Sequence, residues 1–251
     1  MERRALIAGN WKMHLTIGEA VALARKIAAG SLDVHDRDVM IAPPATALAA
    51  VADAVSGTSV LVAGQNVAWK DQGAYTGEIS PLMLKDAGAT MAIVGHSERR
   101  HIFGEDNEMI NQRIIGALTH GIIPVLCIGE TLDEREDGLT WEILQGQVRE
   151  GLEGVTEEQA EQVVIAYEPV WAIGTGKTAS KEQAQKAHKF IRGLLEELYE
   201  KNLADKMRIL YGGSVKPDNV DDLMRMPDVD GALVGGAALQ AESFDRILHF
   251  S

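Results

Sequence analysis

The chain has 251 residues, is 46% hydrophobic, and carries a formal net charge of -13 at pH 7 with a single cysteine. That acidity excludes nucleic acid and anionic membranes as general partners, so an anionic substrate needs a local positive site. One cysteine excludes an intrachain disulfide framework and suits a reducing compartment; the first apolar run, Ala5 to Ala8, is too short for a signal peptide or a membrane span, so the expected location is the cytoplasm.

Apolar runs of strand length recur along the chain, at residues 5–8, 39–42, 60–63, 91–94, 122–127, 163–166, 209–211 and 232–234. Each is continuous rather than alternating, which predicts strands buried on both faces, as in a parallel sheet covered by helices. Helical patterns fill the intervals. After Ser180, the residues Ala184, Ala187, Ile191, Leu194, Leu195 and Leu198 fall on one face at helical spacing. Ser180 with Gln183, and Thr131 with Glu134, are spaced for capping boxes. The charge run from Asp133 to Asp137 reads as a solvated face. There is no linker-like or low-complexity stretch, and hence no hinge for a two-domain split. Such alternation permits an open doubly wound sheet or a closed barrel. No Gly-x-Gly-x-x-Gly follows the first run, which removes the main support for the dinucleotide-binding open sheet. Asn10 and Lys12 follow the first run, His96 the fourth, Glu168 the sixth, Gly212-Gly213-Ser214 the seventh and Gly235-Gly236 the eighth. Polar groups at so many strand ends favour a single-domain (β/α)8 barrel over residues 1–251.

The stretch from Ala166 to Lys177 carries the sharpest chemistry. Glu168 stands at a strand end, and Pro169 stops the ladder behind it. A bulky apolar tip (Val170, Trp171, Ala172, Ile173) and two glycines, Gly174 and Gly176, follow. This suits a general base under a lid; it also suits an ordinary surface loop with a solvated Glu. Gly176-Lys177-Thr178 mimics the end of a P-loop, but Trp171 stands where that motif needs its first glycine. Asn10 and Lys12 read as a turn Asn and a solvated Lys, or as a cation placed for an anionic substrate. A lone His96 in a turn is structural, solvated or catalytic. His101 lies nearby, but no second ligand set has zinc-like spacing, so no metal site is expected. The glycine corners at Gly213-Ser214 and Gly235-Gly236 serve as tight turns or as a phosphate site. From Gly64 to Gly77 there is no helix or strand period; a loop this long is functional or disordered, and Trp69 and Tyr75 argue against disorder. Cys127 reads as a buried, inert thiol.

The segment Tyr167-Glu168-Pro169-Val170-Trp171-Ala172-Ile173-Gly174-Thr175-Gly176 resembles the catalytic-base and lid signature of the triosephosphate isomerase family. The resemblance continues, in the family's order, at Gly9-Asn10-Trp11-Lys12-Met13, Gly95-His96-Ser97-Glu98-Arg99-Arg100, Tyr211-Gly212-Gly213-Ser214-Val215 and Val234-Gly235-Gly236-Ala237. It implies a cofactor-independent isomerase that interconverts glyceraldehyde 3-phosphate and dihydroxyacetone phosphate. It implies Glu168 as the base, His96 as the electrophile and Lys12 as the stabiliser of negative charge. Asn10 would line the site; Gly174, Ser214, Gly235 and Gly236 would hold the phosphate; Tyr211 and Ser214 would latch the lid. By the same resemblance, the Gly64 to Gly77 loop crosses to a second subunit of a homodimer, with Thr76 reaching the partner's site. Where many members have Ala-Ser, this chain has Ala237-Ala238, a small departure because the phosphate donors are backbone groups. The resemblance also implies that His96 works as a neutral imidazole, as the family's electrophilic histidine does. The start of a helix at Ser97-Glu98, lid desolvation and Lys12 all oppose a second proton on the ring, and Glu98 favours one. Two rivals are a Schiff-base aldolase on the same barrel, which needs a reactive lysine, and a non-catalytic sugar-phosphate binder.

Overall fold

The eight apolar runs become strands because helices cover one face of each run and the opposite strands cover the other. The computed structural model describes residues 3–173 and 178–251. Its strands are β1 (Ala5–Asn10), β2 (Arg37–Ala42), β3 (Val60–Gly64), β4 (Met91–Val94), β5 (Ile123–Ile128), β6 (Val164–Tyr167), β7 (Arg208–Tyr211) and β8 (Gly231–Val234). They pair in sequence order, all parallel, and β8 returns to β1 with Leu6 opposite Gly231. The result is the closed (β/α)8 barrel expected from the sequence. The surrounding helices are α1 (Ile17–Gly30), α2 (Leu48–Ala54), α3 (Pro81–Asp86), α4 (Ser97–His101), α5 (Asn107–Thr119) and α6 (Leu132–Glu136). They continue with α7 (Thr140–Gly151), α8 (Glu157–Ala160), α9 (Lys181–Tyr199), α10 (Lys201–Ala204), α11 (Val220–Met224) and α12 (Ala241–Leu248). No helix among the described residues is long and apolar enough to cross a membrane.

Successive strand residues point to opposite faces, so each run splits into two cores. Leu6, Ala8, Met40, Ile93, Val125, Cys127, Val164, Ala166, Leu210 and Leu233 fill the barrel interior. Ile7, Ile41, Val94, Leu126, Ile165, Ile209 and Val234 pack outward against helix faces that include Ala184, Ala187, Ile191 and Leu195 of α9. Each fully buried Leu or Ile contributes roughly 1.5–3 kcal/mol, so the larger outer layer carries more of the stability. The two capping boxes form as spaced: Gln183 reaches back to the Ser180 N–H at 2.9 Å and Glu134 to the Thr131 N–H at 2.7 Å.

The same two-residue phase continues past the strand ends and aims the site. Asn10 is two residues beyond Ala8, Glu168 beyond Ala166, Gly212 beyond Leu210 and Gly235 beyond Leu233, all on the inward phase. The segment after β3 has neither helix nor strand until α3, as the sequence suggests, although Gly64 itself closes the strand. Its base is anchored: Val67 and Ala68 are buried, Arg113 donates to the Val67 carbonyl at 2.6 Å, and Trp69 meets Tyr75 edge-on at 5.5 Å. Residues 70–77 are exposed.

Candidate active site

A pocket of about 310 Å³ opens at the carboxyl ends of the strands. Asn10, Lys12, His96, Glu168, Ser214, Gly235 and Gly236 all line it, so seven of the eight residues singled out from sequence converge. The eighth, Gly174, lies with Thr175, Gly176 and Lys177 outside the described residues. A wider cleft of about 610 Å³ lies at the opposite end of the barrel, among Arg3, Arg4, Arg37 and Asp230. Its arginines are already engaged, Arg3 with Asp230, Arg4 with Asp38 and Arg37 with Asp36. The strand-end pocket is therefore the candidate site.

Glu168 follows β6 and is 2% exposed. Its own N–H donates to the Ile128 carbonyl at 2.7 Å, while Pro169 has no N–H to continue the ladder. Its carboxylate is held at two points. Oε2 accepts the Ser97 backbone N–H at 2.9 Å, and Oε1 lies 3.0 Å from His96 Nε2. His96 arrives through Gly95, whose φ of +69° is one that side-chain-bearing residues rarely adopt. The ring caps α4: Nδ1 accepts the Glu98 N–H at 3.2 Å. A nitrogen that accepts a backbone N–H carries no proton, so the ring's proton sits on Nε2 and is donated to Glu168.

Lys12 has a φ of +52°, a conformation that is costly for a residue with a side chain. Two contacts hold it there. Its N–H donates to Asn10 Oδ1 at 3.0 Å, and Gln65 Nε2 donates to its carbonyl at 2.8 Å. Its Nζ then meets Glu98 Oε1 at 2.8 Å. Asn10 thus acts first as the clamp that shapes the Lys12 turn.

The electrostatics follow from these contacts. Burial pushes Glu168 up, but His96, the Ser97 N–H and Lys12 outweigh it and hold the carboxyl below the usual range. Burial pushes His96 down most strongly, yet the adjacent Glu168 outweighs burial and Lys12, leaving its proton affinity above the ordinary value. This corrects the sequence expectation that helix start, desolvation and Lys12 prevail. The sequence could not show that the Glu168 carboxylate parks on the ring. Below the pair, inside the barrel, burial pushes the Cys127 thiol well up, as expected of an inert thiol.

The segment that follows Glu168 is fastened to the barrel. Glu130, fully buried, accepts from Tyr167 Oη at 3.1 Å, from Trp171 Nε1 at 2.9 Å and from Arg135 at 3.0 Å. Arg135 also stacks on Trp171 at 4.6 Å, so this member of the Asp133 to Asp137 charge run is structural rather than merely solvated. Ile173 lines the pocket. The Tyr211 phenol is pushed up to about 12 by burial, and its hydroxyl has no hydrogen-bond partner among the described residues. At the glycine corners, the N–H groups of Ser214, Gly235 and Gly236 enter no turn or loop hydrogen bond among the described residues, and a short 3₁₀ turn runs from Gly236 to Leu239.

Sequence reasoning missed Ser97 as the N–H donor, Glu98 as the partner of Lys12, Glu130 as the anchor of Tyr167 and Trp171, and Lys216 at the pocket mouth. Glu130 was findable: it stands two residues past β5, the position that Glu168 nearly holds on β6.

The triosephosphate isomerase family model matches residues 5–251 of the chain. The chain is 53% identical over 248 residues to the triosephosphate isomerase of Syntrophotalea carbinolica, covering 99% of this chain and 98% of that one. It is 54% identical over 248 residues to that of Roseiflexus sp. strain RS-1, with the same coverage. The crystal structure of triosephosphate isomerase from Bartonella henselae matches with a TM-score of 0.88 at 40% identity over 97% of both chains. The chain belongs to the triosephosphate isomerase family and is an isomerase.

Proposed function

We propose that this isomerase interconverts D-glyceraldehyde 3-phosphate and dihydroxyacetone phosphate through an enediolate. The observation that carries the reading is a buried, ionised Glu168 carboxylate 3.0 Å from His96 Nε2 at the barrel mouth. Glu168 removes the proton from the carbon beside the carbonyl and returns it to the neighbouring carbon. To do so its carboxylate leaves the Ser97 N–H and the ring. Its departure also removes the main influence that raises the His96 proton affinity, so the ring meets substrate neutral and donates Nε2–H to the developing oxyanion. Lys12 offsets the same charge. The N–H groups of Ser214, Gly235 and Gly236, with Gly174 from the lid, hold the phosphate, and Tyr211 and Ser214 latch the closed lid. Base catalysis accounts for about 10²–10⁴ of the rate, and oriented donors supply much of the rest.

An isomerase assay tests this directly. Glu168→Gln lowers kcat by about 10² or more with a much smaller change in KM. Near-normal turnover by that variant would remove Glu168 from the mechanism.

The active form is a homodimer built through the Gly64 to Gly77 loop, with Thr76 reaching the partner's site. Large exposed apolar side chains support this: Met13 is 93% exposed, Ile102 72% and Phe103 64%. They flank one connected set of groups, because Lys12 is tied to Glu98 of α4 and Arg99 stacks on Phe103. Large apolar side chains exposed around such a set favour an interface. Sedimentation that finds a fully active monomer at assay concentration would contradict it. The single, buried cysteine supports the cytoplasm as the compartment.

A further inference from the structure

Lys216 lines the mouth of the same pocket, just past the Gly213-Ser214 corner. Its side chain is exposed, and no carboxylate pairs with its ammonium among the described residues. Its backbone, in contrast, is fixed from both sides. The Lys216 N–H donates to Asn219 Oδ1 at 2.8 Å, and Asn219 Nδ2 donates in turn to the Ser214 carbonyl at 2.9 Å. The N–H groups of Asn219 and Val220 both reach the Lys216 carbonyl at 3.2 Å. A free cation is thus rooted on a rigid turn that shares its frame with the Ser214 corner.

Charge balance gives that cation a task. The chain carries a net charge of -13, and a phosphorylated triose approaches as an anion of nearly two charges. The other lysine lining the pocket, Lys12, is already tied to Glu98 at 2.8 Å. Glu168 is held ionised. Without Lys216, these three side chains leave the pocket net negative toward an incoming anion.

We propose that Lys216 is a steering residue for the anionic substrate, concentrating the phosphate-bearing triose at the mouth beside the Ser214 corner. This rests on the reading of the pocket as a phosphate-binding isomerase site. An exposed charge acts through solvent, so its effect is long-ranged at low salt and vanishes as the Debye length shrinks from about 30 Å at 0.01 M to about 3 Å at 1 M. It works on encounter and capture, so KM carries it and kcat does not.

The experiment compares the full chain with Lys216→Met and Lys216→Arg, using glyceraldehyde 3-phosphate across ionic strength and unphosphorylated glyceraldehyde as the neutral substrate. Lys216→Met lowers kcat/KM for the phosphorylated substrate about 3- to 10-fold at 0.01 M ionic strength and less than about 2-fold near 1 M, with kcat unchanged. Lys216→Arg restores the low-salt value, and neither substitution changes kcat/KM for the neutral substrate. An active wild type that Lys216→Met matches at low salt would overturn the role of Lys216 alone. So would a loss that persists at high salt, appears in kcat or extends to the neutral substrate. A wild type without isomerase activity would remove the function and this role together.

Discussion

Gly212→Ala is a steric probe aimed at the Glu168 side chain. Gly212 does not have a positive φ, so alanine adopts its backbone without strain. The added Cβ would stand 2.8 Å from Glu168 Cγ and 3.2 Å from the Tyr167 carbonyl oxygen. Carbon contacts settle at about 3.5–4.0 Å, so Glu168 Cγ must give way by roughly 0.7 Å or more. Gly212 cannot retreat easily, because its N–H is bonded to the Tyr167 carbonyl at 2.7 Å. Ser97 and His96 pin the carboxylate only at rest, so the displacement passes along the side chain that has to carry the proposed base to substrate. A misplacement near 1 Å costs about 10²-fold, which places the expected loss of kcat between about 10- and 100-fold with little change in KM. Overpacking adds about 1–3 kcal/mol of destabilisation, or roughly 2–12 °C in Tm for a chain of this size. Steady-state kinetics on the folded variant, together with a thermal melt, measure both. A folded Gly212→Ala enzyme within about twofold of wild-type kcat would refute the reasoning.

Glu130→Gln weakens the anchor of the lid by removing the charge that Tyr167, Trp171 and Arg135 share; kcat is expected to fall about 10-fold and stability by about 1–3 kcal/mol, and an unchanged kcat would detach Glu130 from lid function. Gly193→Ala is expected to stabilise the fold by about 0.5–1 kcal/mol, because Gly193 sits inside α9 and an added Cβ meets no atom within 4 Å; a lower Tm would contradict this. His188 supplies a pH dependence: burial drives it from 6.5 down to about 4, so between those values the unfolded chain binds the extra proton and stability falls as pH drops, by up to about 3 kcal/mol. Urea unfolding of wild type and His188→Asn at pH 6.5 and 4.5 checks the sign; an equal pH slope in both would exclude His188 as its source.

The barrel was legible because parallel strands covered on both faces leave uninterrupted apolar runs, and the runs fall within a residue or two of the strand bounds. Closure was legible only indirectly, from polar residues at the ends of several strands. Glu168 drew attention by position, at a strand end before Pro169, but a turn Asn with a solvated Lys and a structural His suit positions 10, 12 and 96 equally well, so the family resemblance rather than position marked His96 and Lys12. The roles of their partners were marked by neither. Ser97 acts through a backbone N–H, which no side-chain pattern records. Glu98 lies 86 residues from Lys12, so only closure of the barrel could bring them together. The proton affinity of His96 escapes the sequence for the same reason, because it depends on where the Glu168 carboxylate rests rather than on the residues beside the ring. Arg135 escapes it because its charge run is solvated on average, and one member turns inward to Glu130.

The contacts of the free site also constrain how catalysis can begin. A buried carboxylate survives ionised only because His96, the Ser97 N–H and Lys12 compensate for its desolvation. A carboxylate bonded in that way is a poor base, since the contacts that lower its proton affinity must loosen before it can take a proton. If Glu168 is the base, as proposed, the substrate has to supply the free energy that moves it off Ser97 and His96. The reacting carbon and its oxygens offer little for that purpose. On the proposed mechanism the phosphate offers much more, because it would engage the backbone N–H groups of the Ser214 and Gly235-Gly236 corners, which enter no loop hydrogen bond among the described residues. In that proposal binding at a remote group drives rearrangement of the reacting end, and a triose without phosphate is expected to lose kcat as well as affinity in a steady-state assay. The proposed mechanism thereby makes the glycine corners part of the base's activation, and ties Glu168 to groups beyond its own surroundings.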